Sequence, residues 1–115
     1  MSETGKGGLV SIEEFQRLAL RVGTVVSAED HPKADRLIVL QVDLGGGDLR
    51  QLVAGIKGSY QASGLVGKQV VVVTNLAPAT LRGIESQGMI LAVSDNAAMA
   101  LVTPERPVRA GSVVK

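Results

Sequence analysis

Apolar and polar residues alternate along much of this chain, and glycine, proline and charge break the alternation at intervals. Leu20, Val22, Thr24 and Val26 fall on one side of an extended segment, and Arg21, Gly23 and Ser27 on the other. That period of two predicts a first strand. A second strand follows over residues 37–43, with Ile38, Leu40 and Val42 on its inward side. Leu44-Gly45-Gly46-Gly47-Asp48 predicts a hairpin turn into a third strand over 49–54. Residues 69–75 form an almost unbroken β-branched run, the signature of a fourth strand buried on both faces. A fifth is predicted over 89–93. Short apolar pieces at 100–103 and 113–114 complete the chain, with turns marked by Ser94-Asp95-Asn96, Pro104 and Pro107.

A helical period appears only near the N-terminus. In Ser11-Ile12-Glu13-Glu14 the serine can cap the Glu14 amide while the Glu14 carboxylate reaches back to the Ser11 amide, with Val10 placed to staple against Phe15. Ile12, Phe15, Leu18 and Ala19 then share one face of a short helix over 12–18, which serves either as a lid on an open barrel end or as a contact with a second copy. The first eight residues are polar and glycine-rich. The sequence thus divides into a lead at 1–10, expected to be disordered, and one domain at 11–115. Residues 55–68 hold four glycines, too many for a long helix, and predict a loop with a single helical turn. Five short strands, a broken link between the third and fourth, and no α/β alternation predict an all-β architecture. The expected form is a five-stranded OB-fold barrel with a short N-terminal helix and a C-terminal extension. Two polar, turn-rich segments, 31–37 and 75–89, join strands one to two and four to five, and those loops frame the ligand face of such a barrel.

Composition narrows the chemistry. With 115 residues, 45% of them hydrophobic, the chain suits a single domain. Twelve Lys+Arg oppose 11 Asp+Glu, so a polyanion would be met by a local patch and not by the overall field. There are no cysteines, which removes disulfides and thiol chemistry. No stretch has signal-peptide character or the roughly 20 apolar residues of a membrane span, so the expected location is cytoplasmic, without membrane contact. Phe15 and Tyr60 are the only aromatic residues, too few for the stacking platforms of most single-strand nucleic-acid binders. Shape and phosphate would have to be read instead. The lone His31 precedes a proline and lacks a nearby nucleophile signature, the carboxylates are scattered, and the triple glycine lacks the P-loop pattern. No enzyme, cofactor or metal site is expected.

Five motifs occur in a fixed order: Leu20-Arg21-Val22-Gly23, His31-Pro32-Lys33-Ala34-Asp35-Arg36-Leu37, Gln51-Leu52-Val53-Ala54-Gly55-Ile56, Val72-Val73-Thr74-Asn75-Leu76, and Leu81-Arg82-Gly83 through Ser86-Gln87-Gly88-Met89. Together they resemble the tRNA-binding OB domain found as a small free protein, at the C-terminus of many methionyl-tRNA synthetases and in EMAP-II-like eukaryotic cofactors. The resemblance implies a homodimer that grips the tRNA body by shape, as an accessory to an aminoacyl-tRNA synthetase. By matching position, it implies RNA contacts at Lys33, Arg36, Asn75, Arg82, Ser86 and Met89. Each has a plainer alternative: Met89 as a barrel residue, Asn75 and Ser86 as turn ties, Arg82 as a partner for Glu85. Where many relatives carry Lys or Arg before Leu81, this chain has Ala77, Ala79 and Thr80, so the second loop is poor in charge. A chaperone of the same fold, associated with protein export and binding unfolded polypeptide, is the rival, though its pattern lacks the His-Pro-Lys-Ala-Asp-Arg-Leu type of loop.

Overall fold

The computed structural model describes residues 8–115; most of the lead expected to be disordered lies outside the described residues. Five strands build the barrel: β1 (Leu20–Asp30), β2 (Ile38–Asp43), β3 (Leu49–Ala54), β4 (Gln69–Val73) and β7 (Met89–Ile90), in the order β3-β2-β1-β4-β7 with every neighbour antiparallel. The all-β, five-stranded OB-type barrel expected from the sequence is the fold observed. The segment between β4 and β7 contains a small hairpin, β5 (Ala79–Leu81) with β6 (Ile84–Ser86). After β7 come a second hairpin, β8 (Ala92–Asp95) with β9 (Ala98–Leu101), and a short β10 (Val113–Val114) that pairs with the start of β1. Ala62–Gly64 forms the single helical turn of the long link.

The valine run of β4 explains the layering. Val70 and Val72 enter the main core with Ile38, Leu40 and Val42 of β2, while Val71 and Val73 face the opposite way with Leu20. That second face is covered by Leu91, Val102 and Val114 from the C-terminal extension. Each valine so covered contributes about 1.5–3 kcal/mol of transfer free energy, which makes the extension part of the fold. Gln69 clamps it further, its amide donating to the Val108 carbonyl at 2.7 Å and accepting from the Val108 amide at 3.0 Å.

Three details depart from the alternation. The β1 register shifts between Val25 and Ser27, so Val25 is buried and Val26 is 46% exposed, against the expected grouping of Val26 with Leu20 and Val22. A bulge reverses which side chains face inward, and periodicity alone does not reveal it. The expected fifth strand at 89–93 is divided at Leu91, whose amide donates to Val71 and whose carbonyl accepts from Val102, leading the chain from the barrel into the extension. The helix α1 (Ile12–Phe15) is shorter than 12–18 and is not a lid, since none of its residues is buried. Its capping box is formed as expected, with the Ser11 Oγ 3.1 Å from the Glu14 amide and the Glu14 carboxylate 2.7 Å from the Ser11 amide.

The β2–β3 turn meets the extension backbone to backbone. Gly45 has φ +83, and a Cβ there would lie 2.5 Å from the Ala110 carbonyl oxygen, whereas Gly46 at φ +60 has open space around it. Gly45→Ala is therefore expected to cost about 2–4 kcal/mol, left-handed strain plus a clash with main chain. Gly46→Ala should cost only the strain of about 1–2 kcal/mol. Urea unfolding of the two variants measures the difference, and equal losses would show that the two loops are not in tight contact.

Candidate nucleic-acid interface

The two loops singled out by the sequence are held together by a histidine. His31 is only 4% exposed. Its Nδ1 accepts from the Lys33 amide at 3.0 Å, which leaves the ring proton on Nε2, and Nε2 donates to the Leu81 carbonyl at 3.0 Å. One neutral ring thus folds its own loop and fastens the hairpin tip to it. The loop also closes on itself, with the His31 amide donating to the Leu37 carbonyl at 3.0 Å.

The hairpin tip is Leu81-Arg82-Gly83-Ile84, where Arg82 has φ 52 and Gly83 φ 91. Two successive left-handed residues are the geometry of a type I′ turn, whose twist matches that of the flanking strands. From it the Arg82 Nη2 donates to the Lys33 carbonyl at 3.3 Å. At the other end, Arg50 anchors the hairpin base: it donates to both carboxylate oxygens of Asp48 at 2.9 and 3.2 Å and to the Thr74 and Gln87 carbonyls at 2.9 and 3.2 Å. Between these ends lies Gln51, whose side chain donates to the Glu85 carbonyl at 2.7 Å and whose main-chain N–H and C=O both bond Gln87, the N–H to its side chain at 3.0 Å and the C=O to its amide at 2.8 Å.

The six expected contact residues divide into two groups. Lys33 and Arg36 are exposed in the loop after β1 and Arg82 is exposed on the hairpin tip bonded to that loop, and none is in an ion pair among the described residues, so the alternative Arg82–Glu85 pair is not formed. Met89 is 47% exposed at the start of β7. Asn75 and Ser86 are occupied with the fold. The Asn75 amide accepts from the Ala19 amide at 2.8 Å and donates to the Arg17 carbonyl at 2.7 Å. Ser86 is 3% exposed, and its hydroxyl accepts from the Val53 amide and donates to the Gly88 carbonyl, each at 2.9 Å. Through these two bonds the Ser86 hydroxyl ties the turn before β7 to β3. Sequence reasoning missed His31, Arg50 and Gln87 as organisers. Besides local bonds to the Lys33 amide and the Asp48 carboxylate, their partners are main-chain atoms far along the chain, for which no local pattern exists.

A family model described as "Putative tRNA binding domain" matches residues 20–113. The chain belongs to that tRNA-binding domain family. The domain is 49% identical over 106 residues to methionine–tRNA ligase of Pyrococcus furiosus and 48% identical over 113 residues to that of Thermococcus onnurineus, which covers 92% and 98% of this chain. It spans only 14% and 15% of the length of those enzymes. Among solved structures, the tRNA-binding domain superposes on a MetRS-related protein of Pyrococcus horikoshii with TM-score 0.86 and 32% identity, covering 93% of this chain and 98% of that one. It superposes on the chaperone CsaA of Bacillus anthracis with TM-score 0.84 and 30% identity, covering 93% and 99% respectively.

Replacing His31 by alanine would leave the Lys33 amide and Leu81 carbonyl without their partner, a loss of about 1–2 kcal/mol for two partly buried hydrogen bonds. Hydrogen exchange should then accelerate at the Lys33 amide before the barrel strands are affected. Unchanged protection at Lys33 would mean that the bridge does not hold the loop.

Proposed function

We propose that this chain binds tRNA by its folded shape, with little regard for sequence, and serves as a homodimeric accessory to aminoacylation, either free or as a domain of a synthetase, in the cytoplasm. The observation that supports this reading is the contact between the two loops, which brings the hairpin tip carrying Arg82 against the loop carrying Lys33 and Arg36, in a barrel of the tRNA-binding domain family. The three side chains have no carboxylate within salt-bridge reach among the described residues, so phosphate neutralisation and counterion release are what they offer. No catalytic role is assigned to the chain itself.

The dimer rests on a separate feature. Ile12, Phe15 and Leu18 are 61%, 41% and 44% exposed, with Leu9 and Val10 beside them at 74% and 62%. An apolar cluster of this kind, unburied by its own barrel, is suited to a second copy. Two weak rims on one dimer then act together on a single tRNA, which offsets the charge-poor stretch at Ala77, Ala79 and Thr80. The similarity to CsaA favours a second reading, capture of unfolded polypeptide on the same scaffold.

Lys33→Glu and Arg82→Glu should each abolish tRNA retention at moderate salt and lower the slope of log K against log salt by roughly 0.7–0.9 for each phosphate no longer neutralised. Gel-shift titrations at two salt concentrations read both quantities, and wild-type slopes in both variants would remove these residues from the interface. Analytical ultracentrifugation should give twice the chain mass for the wild type and a monomer for Ile12→Glu/Leu18→Glu. A wild-type protein that sediments as a monomer would refute the dimer. A client-aggregation assay tests the chaperone reading: suppression without tRNA retention would favour it.

A further inference from the structure

The two end strands of the barrel do not pair with each other. β3 and β7 stand at opposite ends of the strand order with no ladder between them. Where the end of β3 passes β7, a slot of about 210 Å³ remains, with Ala54, Gly55, Met89, Ile90 and Met99 among its walls. A wider recess of about 480 Å³ adjoins it, sharing Gly55 and Met99 and adding Arg36 and Lys57. An apolar slot smaller than the usual ~300 Å³ minimum of a ligand pocket thus opens into a basic one.

Gly55 is the informative residue. Its backbone is not in the left-handed region, and a Cβ built on it would meet only Leu37 Cδ2 at 3.9 Å and the Arg36 carbonyl oxygen at 4.0 Å, both ordinary contacts. Nothing within the chain requires glycine here. Its missing side chain matters only to whatever enters the space shared by slot and recess. The two cations are available to that occupant. Arg36 is exposed without an ion pair among the described residues, and Lys57 is held only by Asp30 at 3.2 Å, in a pair whose side chains are 38% and 55% exposed. Such a pair is worth little and yields readily to phosphate.

We infer that the slot takes the base of one unpaired nucleotide of the bound tRNA, flanked by the Met89 and Met99 thioethers, while Arg36 and Lys57 in the adjoining recess hold its phosphate. The inference rests on the tRNA-binding reading and adds to it a readout of unpaired nucleotides. Methionine sulfur makes favourable contacts with aromatic rings, which supplies what a chain with two aromatic residues lacks. At about 210 Å³ the slot is too small for a run of several polypeptide residues, and the recess beside it has the charge to match a phosphodiester.

The test compares unfractionated tRNA with a fully paired RNA duplex of similar length, at one salt concentration, for the wild type, Gly55→Val and Met99→Ser, with thermal unfolding as the check on folding. The wild type should prefer tRNA. Both variants should lose about three- to tenfold in tRNA affinity, the range of one sulfur–ring contact, and keep their duplex affinity. If the variants bind tRNA as the wild type does, or weaken equally towards tRNA and duplex, the slot is not a nucleotide site even though tRNA binding stands. An apolar peptide that occupies the slot and is not displaced by tRNA overturns the assignment in favour of polypeptide. Failure of the wild type to bind either RNA overturns the proposed function and the slot with it.

Discussion

Backbone groups at the edge of a sheet must find partners, and in this barrel two edges face each other across a seam. The chain supplies those partners from the segment that links β4 to β7. The main-chain N–H and C=O of Gln51 both bond Gln87, the Val53 amide bonds the Ser86 hydroxyl, and Arg50 gathers the Thr74 and Gln87 carbonyls. The β5–β6 hairpin is in effect the closure of the barrel. Laid along β3, its tip comes to rest against the loop after β1, where His31 and Arg82 fasten it. The candidate interface is therefore a consequence of how the seam is closed, and the slot is the part of the seam that the hairpin leaves uncovered.

The same geometry sorts the cations. Arg50 is bound to Asp48 and to two carbonyls, which matches its charge and engages its guanidinium in four hydrogen bonds, so it is already committed to the fold and not to a phosphate. Lys33, Arg36 and Arg82 keep their charge in solvent. With a net charge of +1 the molecule has no strong field to steer a polyanion, so the position of a few exposed cations matters more than their number. Holding the Arg82 main chain in the left-handed region and its side chain over the Lys33 carbonyl reduces the freedom surrendered when a phosphate arrives.

Much of the fold is legible in the sequence because it follows from local physics. The four valines of β4 require two apolar faces, the Ser11–Glu14 spacing requires a capped helix start, and three consecutive glycines permit the tight β2–β3 turn. The two loops are equally legible as loops. Their contents are not, since Ala-Thr-Leu and Ile-Glu-Ser are too short and too exposed to read as strands, yet they pair as β5 and β6. The bulge at Val26 and the break at Leu91 depend on contacts distant in sequence, with Gln41 across the β1–β2 ladder and with Val102. Ser86 and Asn75 read as contact residues because both are polar and sit in recognisable motifs. Only the structure shows that their polar atoms already serve the backbone.

The partners in the tie network have a common character that bears on how such a scaffold changes its ligand. His31 binds the carbonyl of Leu81, Arg82 that of Lys33, Gln51 that of Glu85, Asn75 that of Arg17, and Arg50 those of Thr74 and Gln87. Main-chain oxygens are present whatever residue occupies a position. The exposed side chains of both loops are accordingly released from most of the duty of holding the loops together, and a stretch such as Ala77, Ala79 and Thr80 can forgo charge without loss of geometry. A barrel tied in this way preserves its rim while the chemistry displayed there varies, which gives a physical reason why one architecture is shared by tRNA-binding domains and by the chaperone CsaA.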